Sequence, residues 1–393
     1  MKQVFIFILV ILCYSDTIAI KAIPSIKTGA QQLEVYQPLL ENKRVALVVN
    51  QTSMIGQKHL VDFLKENEIN IVKIFGPEHG FRGTADAGEK VKSDIDEGTQ
   101  LPVVSLYGSH KKPTAEDLKD VDIVLFDIQD VGARFYTFIS TLQYAMEACA
   151  ENKKQLIVLD RPNPNGHYID GPVLNAKNKS FVGMQCIPIV HGMTVGEYAQ
   201  MLNGEGWLTN KVKCDLQVIK VINYNHKTIY NLPIPPSPNL KTQTSIYLYP
   251  SLCLFEGTEV SVGRGTDHPF EMWGHPSYEG KEYTFTPKPN IGSKEPPFNT
   301  QLCYGENLIM KPAEAYKLVG GKLHLDWLIE AYQMSVNKNK FFIPFFTNLA
   351  GNTTLQKQIS SGMTEEKIRA TWKTDLDNFK KTRKKYLLYT DFQ

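Results

Sequence analysis

The strongest constraint on the fold is a series of short apolar runs separated by amphipathic stretches. The runs occupy 45–49, 69–75, 103–107, 121–126, 156–159 and 216–222, and helical periodicity marks 58–66, 138–152 and 194–203 between them. Strands that read as unbroken Val, Ile and Leu are buried on both faces, and their alternation with helices implies a parallel sheet with helices packed against it. The sequence therefore predicts a Rossmann-like, doubly wound, mostly parallel α/β domain over 20–235.

Beyond Tyr224 the texture changes. Leu232 to Asn239 is a proline-rich crossing, and the rest of the chain mixes short strands, Gly and Pro turns and a few helices. We read 236–393 as a smaller α+β domain, since a 393-residue chain exceeds the size at which one core stops growing. At the other end, Lys2, the apolar run 4–13 and the small residues around Thr17 and Ala19 have the order of a secretory signal peptide over 1–19. A run of roughly ten residues is too short to span a bilayer. The expectation is an exported protein, periplasmic or secreted, with no stable membrane anchor.

A net charge of +2 argues against a nucleic-acid role, which needs a concentrated basic face. The one basic cluster, Lys380 to Lys385, closes a helical pattern that sets Ile368, Trp372, Leu376 and Phe379 on one face, where cations suit the helix dipole. Cys149, Cys186, Cys214, Cys253 and Cys303 show no CxxC or zinc-type spacing, so neither a disulfide framework nor a metal is expected. The first strand ends in Asn50-Gln51-Thr52-Ser53 with no GxGxxG, and GxxxxGK[ST], HExxH and GxSxG are all absent. No nucleotide or other cofactor is expected.

In open α/β sheets, ligands bind outside the carboxyl ends of the strands. Glu78, His79 and Arg82 come after the second run; Asp127, Gln129, Asp130, Arg134 and Tyr136 after the fourth; Asp160, Arg161, Asn163 and Asn165 after the fifth. Singly each has a plain structural explanation, because an Asp after a strand often caps the next helix and Gly and Pro make turns. Three strand ends that each bring a carboxylate and an arginine to one edge predict a polar crevice. Farther on, 255–271 sets Glu256, Arg264 and Asp267 among glycines, a pattern that reads most simply as a β-hairpin with turn glycines. His191 precedes Thr194 and Glu197, whose spacing is that of a capping box, so Glu197 needs no other role.

Taken together, GPEHGFRG, DIQDVGARFYTF, LDRPNPNG with DGPVL, IPIVHGMTVGEYA, PPSPN and LYPSLCLFEGTEVSVGRGTDHPFE resemble, in collinear order from about Gly29 onward, a bacterial family of exo-β-N-acetylmuramidases. The resemblance implies a Rossmann-like domain, a smaller auxiliary domain, a cleft between them, and removal of terminal N-acetylmuramic acid from peptidoglycan fragments. The family's proposed catalytic residue, the glutamate of GPEHG, is here Glu78. The sequence departs from the pattern at His167, where a second glycine is common, and at Glu259, where Asn is expected.

Glycoside cleavage needs an acid for the departing oxygen and usually a second carboxylate. Glu78 fits the first role; Asp127, Asp160 and Asp130 are candidates for the second, unless the substrate's acetamido group replaces it. The lactyl carboxylate of muramic acid calls for an arginine fork, with Arg82, Arg134, Arg161 and Arg264 as candidates. His79 and His191 suit sugar hydroxyls. A periplasmic binding protein for muropeptides or sugars, using the same cleft without chemistry, is the competing reading.

Overall fold

The computed structural model describes residues 25–78, 80–82 and 94–393; the expected signal segment and His79 lie outside the described residues. In chain order the first strands are β1 (Val45–Val49), β2 (Met54–Ile55), β3 (Lys58–His59), β4 (Ile71–Gly76), β5 (Asp94–Ile95), β6 (Pro102–Ser105), β7 (Ile123–Asp127), β8 (Gln155–Leu159) and β9 (Asp215–Ile219). Seven of them make one sheet in the order β5-β6-β4-β1-β7-β8-β9. Every neighbouring pair is parallel except the two-residue edge strand β5, which runs antiparallel to β6.

The apolar runs are buried on both faces, as unbroken hydrophobic strands require. Val45, Leu47, Val49, Leu125, Ile157 and Leu159 pack with helices α1 (Leu33–Leu40) and α2 (Leu60–Glu66) on one side. Ala46, Val48, Val124, Phe126, Leu156 and Val158 face the other side, where α3 (Phe138–Glu151) and α4 (Val195–Gly204) lie. The period-two alternation of the strands thus divides one hydrophobic string between two cores. Helix α4 starts at the capping box: Thr194 Oγ1 accepts from the Glu197 N–H at 3.2 Å and the Glu197 carboxylate accepts from the Thr194 N–H at 2.9 Å.

The C-terminal part comes after α5 (Gln243–Leu252). It holds a three-stranded antiparallel sheet of β10 (Met272–His275), β11 (Tyr283–Phe285) and β12 (Cys303–Asn307), with β12 in the middle, and further helices ending in Glu365–Lys384. That last helix buries Ile368, Trp372, Leu376 and Phe379, the face its periodicity marks. Their cluster is continuous with Phe126 and Leu156 of the main sheet, so the C-terminal part closes the second face of the sheet. The segment 255–271, expected to be a hairpin, contains no strand. Its first residues end a 3-10 helix (Cys253–Gly257), and the rest is an irregular loop tied by isolated bridges from Thr258 to Phe342 and from Ser261 to Gly274.

Candidate active site

A cavity of about 420 Å³ opens between the carboxyl edge of the sheet and the C-terminal part. Glu78 enters it from the turn after β4, where Gly76 ends the strand, Pro77 fixes the backbone, and the Gly80 N–H closes the turn on the Pro77 carbonyl at 2.9 Å. Thr137, at the position just before α3, makes no capping bond to the helix and instead donates its hydroxyl to Glu78 Oε2 at 2.5 Å. A half-buried carboxylate is thereby held against the N-terminal end of a 14-residue helix, the favourable end for negative charge.

Next to Glu78 the wall is aromatic. The Tyr136 ring meets Phe138 and Tyr249 edge to face, with centroids 4.8 and 5.7 Å apart, and Tyr249 meets Phe270 at 5.1 Å. The Tyr136 hydroxyl donates to the Pro236 carbonyl at 2.9 Å, joining the proline-rich crossing to the sheet edge. Ser237 and Asn239 of that crossing also line the cavity. Ser237 Oγ accepts from the Asn239 and Leu240 backbone N–H groups, and the Asn239 amide donates to the Gly292 carbonyl.

Arg264 comes in from the irregular loop. Gly263 and Gly265 have φ of +76° and +83°, left-handed conformations that favour glycine, and they turn the intervening arginine into the cavity. Arg264 Nε donates to Glu256 Oε1 at 2.5 Å, and the guanidinium lies 5.2 Å from the centroid of the Phe270 ring. Phe270 itself sits at φ +60° while 1% exposed, a strained backbone fixed by packing on a cavity wall.

Of the residues singled out in the sequence, Glu78, Tyr136, Glu256 and Arg264 share this cavity. The charged groups at the other strand ends turn inward, contrary to the expected convergence on one open crevice. Asp127 is fully buried, and Arg161 grips it with two bonds, Nε to Oδ1 at 2.5 Å and Nη2 to Oδ2 at 2.9 Å. Asp160 accepts four bonds: the Arg161 and Gly196 N–H groups on Oδ1, and the Thr194 and Tyr389 hydroxyls on Oδ2. It therefore caps α4 and anchors the C-terminal tail. Burial pushes its carboxyl up to about 6 against the lowering effect of those bonds.

Arg134 is 1% exposed and donates to the carbonyls of Pro172, Ile187 and Leu349, so it staples the two parts of the chain together. Burial lowers its pKa to about 9. Arg82 is half exposed and forms a fork with Asp96 outside the cavity. Gln129 donates to the Asp130 and Pro162 carbonyls, Asn163 to the Met193 carbonyl, and Asn165 to those of Val131 and Ile246. All three are loop braces. Asp267 is exposed beside a separate surface depression.

Asp130 and His191 form a buried couple behind Tyr136. Asp130 Oδ2 accepts from the Gly132 N–H at 2.7 Å and lies 3.9 Å from His191 Nε2, too far for a hydrogen bond. Burial raises the Asp130 carboxyl to about 7 and lowers the His191 imidazole to about 3, so it disfavours the charged form of both groups.

Several cavity residues carry no sequence signal of their own. Thr137 and Phe138 come directly after Tyr136 in the DIQDVGARFYTF motif, and Ser237 and Asn239 belong to PPSPN, which reads as a linker. Tyr249, Cys253 and Phe270 lie within the motif LYPSLCLFEGTEVSVGRGTDHPFE without being singled out by it, and Phe345 comes from a helix far along the chain. Among the described residues no group of three or more His, Cys, Asp and Glu side chains could hold a metal ion.

Family models described as exo-β-N-acetylmuramidase NamZ, N-terminal and C-terminal, match residues 45–244 and 247–389. The chain is 41% identical over 386 residues to the peptidoglycan β-N-acetylmuramidase NamZ of Bacillus subtilis (strain 168), covering 93% of this chain and 92% of that protein. Crystal structures of two DUF1343 family proteins from Bacteroides fragilis NCTC 9343 superpose with TM-scores of 0.87 and 0.75, at 49% and 33% identity. Those matches cover 94% and 93% of this chain and 100% and 99% of theirs. With both family models matched and the Bacillus relative aligned along nearly the whole chain, the protein belongs to the exo-β-N-acetylmuramidase family and is a glycoside hydrolase.

Proposed function

We propose that the enzyme removes single N-acetylmuramic acid units from the non-reducing ends of peptidoglycan fragments, with Glu78 as its general acid. The observation that carries this reading is the position of Glu78: a strand-end carboxylate fixed by Thr137 on the wall of a cavity, whereas Asp127 and Asp160 are enclosed by protein donors. The volume of 420 Å³ is near the lower end of the range of about 300–1,000 Å³ for small-molecule sites. It suits one sugar at a chain end better than a strand running through.

In this mechanism the Glu78 carboxyl proton passes to the glycosidic oxygen as its bond to C1 breaks. The nucleophile is the substrate's own acetamido oxygen, which closes on C1 to give an oxazolinium ion. Glu78, now a carboxylate, takes a proton from the water that adds to C1, and the anomer is retained. What favours this route is that the nearby protein carboxylates are occupied. Asp127 and Asp160 have both oxygens filled, and Glu256 accepts from Arg264 on one oxygen and from the Cys253 thiol, at 3.6 Å, on the other.

Mass spectrometry of the products from a disaccharide of muramic acid on glucosamine tests the substrate. Release of both monosaccharides is expected, with no release from the disaccharide in reverse order. Proton spectra during the first minutes should give β-N-acetylmuramic acid first; initial α product would reject the acetamido route. The export pattern at Lys2, 4–13 and Ala19 supports a further proposal, a mature chain beginning near Ile20 in the periplasm or medium. Intact Met1 on cytoplasmic protein would rule that out.

A further inference from the structure

We infer that Arg264 is the specificity-determining residue of this site, receiving the lactyl carboxylate of the terminal sugar end-on between its two terminal amino groups. The inference rests on the muramidase reading above. Muramic acid differs from glucosamine at one place, the 3-O-lactyl ether, and the difference a protein can read most sharply is its carboxylate. A planar guanidinium matches a carboxylate with two parallel bonds, where a lysine would offer only a point charge.

The structure separates the four arginines that the sequence leaves equivalent. Arg134 spends its terminal amino groups on three backbone carbonyls, Arg161 is closed on Asp127, and Arg82 is closed on Asp96 outside the cavity. Arg264 lies on the cavity wall, and its one hydrogen bond among the described residues is the Nε donation to Glu256. Glu256 holds the Nε edge, and the guanidinium carbon lies over the Phe270 ring, so the group has two fixed neighbours. The remaining edge, with both terminal amino groups, is left for a ligand. Because Nε is taken, the side-on geometry is closed and the end-on geometry is the one available.

Glu256 also tunes this edge. Its charge offsets that of Arg264, so an anion arriving without a complementary planar shape gains little, while a carboxylate gains two directed bonds. Only a preorganised fork gives this selectivity, and the left-handed glycines on either side of Arg264 supply the backbone for it.

Three nitrophenyl β-glycosides test the assignment: N-acetylmuramic acid, its lactyl methyl ester, and N-acetylglucosamine. The wild-type protein should favour the free acid over the ester by at least about tenfold in kcat/KM, the span expected when a charged hydrogen bond is lost. Arg264→Gln should bring that ratio to within about threefold of unity, mainly through KM on the free acid, and Arg264→Lys, which keeps the charge without the fork, should fall between that variant and the wild type. Equal turnover of acid and ester by the wild type overturns carboxylate recognition without any variant. A preserved ratio in folded Arg264→Gln protein removes Arg264 from the role. Should neither variant fold, a crystal of Glu78→Gln protein with the muramic acid glycoside decides: a lactyl carboxylate beyond 3.5 Å from both terminal amino groups refutes the proposal (a hydrogen bond of about 2.7–3.2 Å is expected). Wild-type protein that hydrolyses none of the three glycosides would instead sink the muramidase reading on which the inference rests.

Discussion

The carboxylates at the ends of β4, β7 and β8 hold corresponding places in the topology and have opposite surroundings. Glu78 stands on a turn whose far side is the cavity, with the Thr137 hydroxyl fixing it. Asp127 and Asp160, at the ends of β7 and β8, lie where loops and the C-terminal tail cover the edge and every carboxylate oxygen meets a donor. The arginines divide the same way: Arg134 and Arg161 hold the frame, and Arg264 faces the cavity. A charged side chain at a strand end can therefore serve either as a part of the frame or as a part of the site. What decides is whether protein or open space lies beyond it.

Paired substitutions probe that division, and the largest effect should come from the cavity side. Glu78→Gln keeps the shape and the Thr137 contact but cannot deliver a proton, so kcat should fall by about 10²–10⁴ with the melting temperature nearly unchanged. Near wild-type turnover in a stable Glu78→Gln protein would take Glu78 out of the mechanism. Asp127→Asn should do the reverse. It leaves the Arg161 guanidinium buried against an amide, which costs about 3–5 kcal/mol of stability by the usual penalty for an uncompensated buried charge. The folded fraction should keep kcat within a few-fold, as chemical denaturation and active-site titration on one preparation would establish.

Asp160→Asn is expected to be milder, costing about 1–3 kcal/mol, because one amide N–H must face donors that previously met a carboxylate. Loosening of the C-terminal tail through Tyr389 should appear as earlier proteolysis there. Were the variant as stable as wild type but inactive, Asp160 would belong to the site after all. The smallest effect concerns Asp130. Burial raises its pKa from 3.8 to about 7, so the stability it contributes is complete below about 3.8 and is lost as pH rises to about 7. Asp130→Asn removes that loss, though part of the burial cost stays with the amide. Relative to the wild type, the variant should therefore be more stable at pH 8 than at pH 4. A gain independent of pH would mean that Asp130 does not titrate in this range.

The sheet is readable from the sequence because its strands are hydrophobic on both faces, which only a parallel sheet covered by helices tolerates. The capping box at Thr194 and Glu197 and the apolar face of the last helix are equally local, since their partners lie within a few residues or along one periodic stripe. Glu78, Tyr136, Glu256 and Arg264 are legible through the motifs that hold them. The aromatic wall is not, because Phe135, Tyr249, Phe270 and Phe345 converge from elements more than a hundred residues apart in places.

By itself, then, the sequence determined the alternation of long strands and helices in the main sheet, the cap of α4, and a short set of polar residues at the carboxyl edge. Each of these comes from side-chain periodicity or from neighbours a few residues away. Tertiary structure alone decided which of those polar residues turn inward. Asp127 and Arg161 are 34 positions apart and Asp160 and Tyr389 are 229 apart, so the bonds that make them part of the frame depend on the chain having already closed. The same closure left Glu78 and Arg264 facing the cavity, since a charge stays there only when folding brings it a partner that does not enclose it.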